Sequence, residues 1–192
     1  MKCEKALSTL RNRQAGKADF RAAAKDISHM LIDDLQNRLQ ESSVDTEKLC
    51  FLIILRSGIA LLPEAVEAFP HAPVGVAGVQ RDETTYEPQW YYEKMPPLTS
   101  DSVVVILDPM LATGGSAETV ISHVIEQGAK ADHIHFVGVL AAQEGVERIE
   151  SIIPKENIIL ADIDPELDGN KFIVPGLGDF GDRYFGFDDT HS

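Results

Sequence analysis

A chain of 192 residues with a formal net charge of −14 is long enough for one domain with a well-buried core. The acidic balance argues against nucleic acid as a partner, because a phosphate backbone requires an excess of Lys and Arg on the contacting face. The longest apolar runs, over residues 51–55 and 136–142, are far shorter than the roughly 18 residues of a membrane helix. No apolar secretory segment follows the first five residues. We therefore expect a cytoplasmic protein that contacts neither nucleic acid nor a membrane.

The N-terminal quarter of the chain carries one long amphipathic helix. Its apolar residues recur at steps of three and four, which predicts a helix over residues 19–40. A polar break over residues 41–48 follows this helix. We divide the chain into an N-terminal helical region, residues 1–48, and a core, residues 49–192, within a single domain.

Strands and helices alternate through the core. The apolar runs predict strands over residues 49–55, 74–79, 103–107, 134–141 and 157–162, with helices over 58–69, 117–127 and 144–152. The polar and aromatic residues 81–95 are interpreted as a β-hairpin or flap. Alternation of this kind predicts an α/β fold with a mainly parallel sheet and helices on both faces.

Charged residues follow three of these strands at the point where each strand ends. Arg56 follows the first strand, Arg81 the second and Asp108 the third. Ligands of parallel sheets collect beyond the carboxyl ends of the strands, so we expect the three side chains to converge on one site. For any one of them the alternative is a charge that simply reaches solvent.

The loop over residues 108–116, Asp-Pro-Met-Leu-Ala-Thr-Gly-Gly-Ser, has the composition of a phosphate-binding turn. Unpaired N–H groups at the start of the following helix attract anions, and the adjacent Gly114 and Gly115 let a phosphate approach the backbone. Asp108 would repel phosphate and is better suited to accept hydrogen bonds from sugar hydroxyls. The loop lacks a Walker A lysine and the G-x-G-x-x-G spacing, so an ATPase or NAD site is disfavoured. An ordinary capped turn stays open as the alternative.

Glycines are concentrated near the C-terminus, at Gly176, Gly178, Gly181 and Gly186. A segment this rich in glycine is not expected to pack a core. The segment is either a long connecting turn or a surface that exposes backbone N–H and C=O groups to a flat ligand.

Four blocks of the chain together resemble the uracil phosphoribosyltransferase family. They are Leu55-Arg56-Ser57-Gly58, Gln80-Arg81-Asp82-Glu83-Thr84, the loop over residues 108–116, and residues 172–186. The resemblance implies a type I phosphoribosyltransferase fold with a flap hairpin and a small C-terminal base-binding segment. It also implies transfer of phosphoribose from phosphoribosyl pyrophosphate (PRPP) to uracil, which yields UMP in pyrimidine salvage, with Mg²⁺ as cofactor.

The resemblance also assigns site residues position by position. It implies catalytic roles for Arg56, Arg81, Asp108 and Asp179, and uracil contacts at Ile173, Gly178, Asp179 and Phe180, in part through backbone atoms. PRPP contacts are implied for Arg56, Arg81, Asp108, Pro109, Met110, Leu111, Ala112, Thr113, Gly114, Gly115, Ser116 and Asp179. No dedicated protein cage for the metal is expected, because Mg²⁺ usually keeps water and substrate oxygens as ligands.

The chain departs from the family pattern in two places. The segment before the long helix is expected to be short or absent, and the polar residues 41–48 stand where the family has a longer arm that helps to build dimers. The resemblance therefore implies a homodimer, while the shortened arm argues against one. Two other functions stay open: a non-catalytic homologue that senses pyrimidines or nucleotides, and a phosphoribosyltransferase for another base.

Overall fold

A computed structural model describes residues 2–42, 44–81 and 88–187 of the chain. Two helices open the fold, α1 (Lys2–Arg11) and α2 (Lys17–Glu41). The long helix predicted over residues 19–40 is confirmed as α2. The segment before it is short and helical, and its helix α1 packs Ala6 and Leu10 into the same core as α2. A helix this short depends on such packing, and two buried positions leave no clear periodic signal in the sequence.

A mostly parallel seven-stranded sheet forms the centre of the molecule. Its strands are β1 (Leu49–Leu55), β2 (Val74–Arg81), β3 (Pro88–Lys94), β4 (Val103–Leu107), β5 (Met110–Leu111), β6 (Ile134–Ala142) and β7 (Ile158–Asp164). The order across the sheet is β3-β2-β1-β4-β6-β7, with β5 pairing β6 just beyond the end of β4. Within this sheet, the described pairing of β2 with β3 is antiparallel and the other described pairings are parallel. The predicted α/β fold is confirmed.

Helices cover both faces of the sheet. Alternate residues of β1 point to opposite sides, so Phe51 and Ile53 pack in the cluster that contains α2, whereas Leu52 and Ile54 pack in the cluster that contains α4. The remaining helices are α3 (Leu62–Ala68), α4 (Gly115–Glu126), α5 (Gln143–Glu150) and α6 (Phe180–Phe185). Within the described residues, no helix has the length and apolar character needed to cross a membrane.

The helix predicted over residues 58–69 is divided in the structure. A 3₁₀ turn at Ser57–Ala60 comes first, and α3 begins only at Leu62 with a proline in its first turn. Proline is favoured at the start of a helix, where its missing N–H leaves no bond unmade. Further 3₁₀ turns lie at Thr46–Lys48, Ala131–His133 and Lys155–Asn157.

The segment over residues 81–95 is a hairpin in part. Strands β2 and β3 pair from Val76 with Lys94 to Arg81 with Pro88, and residues 82–87 lie outside the described part of the chain. The polar residues 41–48 contain no described strand; α2 ends there and the Thr46–Lys48 turn leads into β1.

The C-terminal segment is more ordered than its glycines suggest. The short strands β8 (Glu166–Leu167) and β9 (Ile173–Val174) pair antiparallel, and α6 follows a turn. Ile173, Leu177 and Phe180 are buried in the main core. The expectation that this segment packs no core is therefore wrong, because the apolar residues between its glycines are buried. Asp179 caps this helix by accepting a 2.8 Å hydrogen bond from the N–H of Asp182.

Candidate active site

A cavity of about 440 Å³ opens beyond the carboxyl ends of β1, β2 and β4. It brings together residues that are far apart in the chain. Of the predicted site residues, those that line it are Arg56, Asp108, Met110, Ala112, Ile173, Gly178, Asp179 and Phe180. The two halves of the predicted site, the loop after β4 and the C-terminal segment, thus face one space.

A second cavity of about 80 Å³ adjoins the first at the start of α4. Leu111, Thr113, Gly114, Gly115 and Ser116 line it together with Asp108, Met110 and Ala112, which also line the larger cavity. Gly114 has φ 76°, a left-handed conformation that favours glycine, and it turns the chain into the helix. The N–H groups at the start of α4 make this small cavity suitable for an anion, although that of Gly115 also donates a 3.5 Å hydrogen bond to the Thr113 hydroxyl.

Asp108 lies between the two cavities and is almost fully buried. Its Oδ1 accepts a 2.8 Å hydrogen bond from the Ser57 hydroxyl. Burial raises the pKa of Asp108 to about 7, and the Asp179 carboxylate adds to this rise, while hydrogen bonds from Ser57 and the Met110 backbone oppose it. The Asp108 carboxyl therefore changes its charge near neutral pH.

Arg56 links the cavity to α6. Its Nη2 donates to Asp182 Oδ1 at 2.7 Å, and its guanidinium lies 5.8 Å and 5.7 Å from the ring centroids of Phe185 and Phe187. The side chain is 55 % exposed, so an incoming anion can reach the guanidinium. Such an anion would compete with Asp182 for it.

The sequence model of the family described as uracil phosphoribosyltransferase matches residues 34–187. The chain belongs to the uracil phosphoribosyltransferase family. It is 37 % identical to the uracil phosphoribosyltransferase of Thermus thermophilus over 94 % of this chain and 92 % of the relative. The identity to the Saccharomyces cerevisiae enzyme of that name is 35 %, over 92 % of this chain and 88 % of the relative.

Solved structures resemble the chain in fold. The AQ2163 protein from Aquifex aeolicus superposes with a TM-score of 0.83 at 32 % identity, covering 95 % of this chain and 93 % of that chain. A purine phosphoribosyltransferase from Pyrococcus horikoshii superposes with a TM-score of 0.55 at 21 % identity, over 73 % of this chain and 84 % of that chain. The second likeness concerns the fold alone, and it supports the type I phosphoribosyltransferase architecture.

Three of the predicted site residues do not present a described side chain to either cavity. Pro109 lines neither cavity; its carbonyl accepts hydrogen bonds of 2.9 Å from the N–H groups of Val139 and Leu140, which joins the loop to β6. The Phe180 side chain is 1 % exposed and packs edge-on against Phe20, so Phe180 can meet a ligand only through its backbone. Arg81 ends β2, but its side chain lies outside what the structure describes.

Three further residues that line the larger cavity, Ser57, Lys171 and Arg13, were not predicted as site residues from the sequence. Ser57 follows Arg56 directly, so its position at the strand end was a usable signal. Lys171 sits at the cavity with φ 66° in a tight loop. Arg13 comes from the α1–α2 junction, and its only signal was a local basic cluster, Arg11-Asn12-Arg13, in an otherwise acidic chain.

Proposed function

We propose that this protein transfers the 5-phosphoribosyl group of PRPP to N1 of uracil, which yields UMP and pyrophosphate. The observation that carries the proposal is the pair of adjoining cavities, one at the start of α4 and one at the glycine-rich C-terminal segment, with Asp108 lining both. Membership of the uracil phosphoribosyltransferase family supports the same reaction, which belongs to pyrimidine salvage.

The phosphate end of the substrate fits the loop after β4. Residues 113–116 line the small cavity, so the N–H groups at the start of α4 and the hydroxyls of Thr113 and Ser116 can serve as donors to the 5-phosphate oxygens. Asp108 stands next to this position, where its carboxylate would accept hydrogen bonds from the ribose hydroxyls. The loop thereby fixes the distance between the phosphate and the reacting carbon C1′.

Departure of pyrophosphate breaks the bond between C1′ and its oxygen, and a new bond forms between C1′ and uracil N1. Negative charge grows on the leaving group while C1′ gains oxocarbenium character. Fixed cations that face the leaving group stabilise this charge separation, and Arg56 is placed for that role. A base held rigidly opposite C1′ lowers the barrier further, because the attack then needs no additional ordering.

Uracil can be recognised by the main chain of the C-terminal segment. The base presents O2, N3–H and O4 in a row, and Ile173, Gly178 and Phe180 line the cavity. A backbone acceptor facing N3–H and donors facing the oxygens would discriminate against cytosine. Cytosine would leave buried groups unpaired, at about 1 to 3 kcal/mol each.

Mg²⁺ fits the donors of this site as a substrate-bound ion. Among the described residues there is no group of three or more His, Cys, Asp or Glu side chains that could hold a metal. Two carboxylates, Asp108 and Asp179, do line the cavity, and Mg²⁺ typically combines one or two carboxylates with substrate phosphates and water. The ion would neutralise charge on the pyrophosphoryl group.

The test is an assay of the purified chain with Mg²⁺ and PRPP, offered uracil, cytosine, hypoxanthine and adenine separately. UMP from uracil alone is the expected result, and omission of Mg²⁺ should abolish it. Turnover of a purine would overturn the assignment of the base, and turnover of none would favour a regulatory homologue. Cytoplasmic location and a homodimer stay predictions, the second of which sedimentation can check.

A further inference from the structure

The α1–α2 junction lies outside the residues matched by the family model, which begin at residue 34, yet it contacts the C-terminal segment. Two arginines tie these parts together. Arg11 and Arg183 each make hydrogen bonds between the junction and residues more than 150 positions away in the chain. These bonds hold the junction beside the base-binding side of the cavity.

The first tie runs from Arg11 at the end of α1. Its guanidinium donates to both oxygens of Asp164, at 2.8 Å and 2.7 Å, and to the carbonyl of Gly176 at 3.1 Å. Asp164 in turn accepts a 2.7 Å hydrogen bond from the N–H of Gly176. Burial acts to raise the pKa of Asp164, but the hydrogen bonds from Arg11 and Gly176 outweigh it and the pKa is lowered.

The second tie is Arg183 of α6, which is 6 % exposed. It donates to the carbonyls of Leu10, Leu177 and Asn12, and its guanidinium lies 4.2 Å from the ring centroid of Phe20. The backbone on both sides of the junction is therefore fixed to the segment that contains Gly178.

Arg13 lies between these two ties and its side chain enters the cavity. A Cβ atom on Gly178 would collide with Arg13 Nη1, so the guanidinium rests directly against this glycine. Residue 13 is exposed, and within residues 2–42, 44–81 and 88–187 its guanidinium has no hydrogen-bond or ion-pair partner. The other two described cations of the cavity differ, since Arg56 pairs with Asp182 and Lys171 lies 3.9 Å from Glu144.

We propose that Arg13 is a substrate-contacting residue that binds the pyrophosphoryl group of PRPP; this inference rests on the proposed function. A guanidinium that lines the cavity without a partner among the described residues is available to an anionic ligand, and arginine forms bidentate hydrogen bonds with phosphate oxygens. Uracil is neutral, and the 5-phosphate has its own donors at the start of α4. The pyrophosphoryl group is the remaining anion, and it shares this cavity with Arg56.

The experiment compares Arg13→Gln with Arg13→Lys and with Lys130→Gln. Lys130 is exposed and lies just before the Ala131–His133 turn that leads into the amino end of β6, whereas the cavity lies beyond the carboxyl ends of the strands. Its substitution therefore removes the same charge without touching the cavity. Titration calorimetry with Mg²⁺ and inorganic pyrophosphate gives the affinity, and steady-state kinetics give KM for PRPP and for uracil.

We expect Arg13→Gln to weaken pyrophosphate binding and to raise KM for PRPP, each about tenfold, with KM for uracil changed less than about twofold. Arg13→Lys should recover part of the loss, and Lys130→Gln should match the unaltered protein. Unchanged pyrophosphate affinity in Arg13→Gln, or an equal loss in Lys130→Gln, would overturn the inference. Failure of the unaltered protein to form UMP would instead contradict the proposed function, and the calorimetry would still decide the role of Arg13.

Discussion

The loop after β4 and the C-terminal segment serve one cavity but are built in different ways. The loop consists of nine consecutive residues that follow β4 and include the first two residues of α4, and hydrogen bonds to β6 and α5, which follow within 35 positions, hold it in place. The C-terminal segment depends on partners more than 150 positions away, chiefly Leu10, Arg11 and Asn12. Disruption of a distant contact should therefore impair the base side of the site while the phosphate side stays intact.

The largest expected effect is on the folding of the C-terminal segment. Arg183→Met leaves three backbone carbonyls without their donor, so we expect the free energy of unfolding to fall by about 3 to 5 kcal/mol, as measured by urea denaturation. Arg21→Met is the matched control, because exposed Arg21 donates one hydrogen bond to the Tyr184 carbonyl of the same helix. The control should lose less than about 1 kcal/mol. Equal losses in the two variants would remove Arg183 from its structural role.

Arg56 stands where the two halves of the site meet, and its substitution separates catalysis from folding. We expect Arg56→Ala to lower kcat/KM for PRPP about 100-fold, because a cation that faces the leaving group is lost. The unfolding midpoint should stay unchanged, since the side chain is more than half exposed. Arg38→Ala, which breaks an exposed ion pair with Asp34, serves as the kinetic control. An unaltered kcat/KM in Arg56→Ala would exclude Arg56 from the site.

The smallest expected effect is the pH dependence that Asp108 gives to PRPP binding. Because the pKa of Asp108 is about 7, its ionised fraction rises about tenfold between pH 6 and pH 8. The ionised form is the stronger acceptor for the two ribose hydroxyls, so kcat/KM for PRPP should rise by up to about the same factor over this range. Asp108→Asn should be less active and should lose this rise. If kcat/KM still rises with pH in Asp108→Asn, the rise comes from ionisation of the substrate and not of Asp108.

The same carboxyl affects stability with a defined sign. Its pKa is raised in the fold, so its contribution to stability is fully present below the ordinary carboxyl pKa of about 4 and is lost as the pH rises through about 7. Asp179→Asn removes a like charge and should shift the midpoint of the kinetic profile to lower pH. Folding stability and substrate affinity thus respond in opposite directions to the ionisation of Asp108.

Sequence patterns predicted the strands of the sheet and the loop because each of them is encoded in one continuous stretch of the chain. The apolar strands at Leu49–Leu55 and Val103–Leu107 are continuous runs, and α4 begins within two residues of its predicted start. Arg56 and Asp108 could be placed at one edge because parallel strands bring their carboxyl ends together. These inferences needed no knowledge of distant contacts.

The parts that escaped prediction depend on tertiary contacts. Helix α1 is short and is stabilised by packing against α2, and α6 forms within a glycine-rich segment because Phe180 is buried and Asp179 caps its first turn. The entry of Arg13 into the cavity depends on where the α1–α2 junction crosses the C-terminal segment. No local pattern encodes that crossing.

A crystal structure of the protein with UMP and Mg²⁺-pyrophosphate tests the central claim most directly, because the ligands together span the whole site. We expect the phosphate of UMP at the N–H groups of residues 114–116, its ribose hydroxyls at Asp108, and its base against the backbone of Ile173 and Gly178. Ligands bound away from the two adjoining cavities, or a base turned away from the C-terminal segment, would contradict the account.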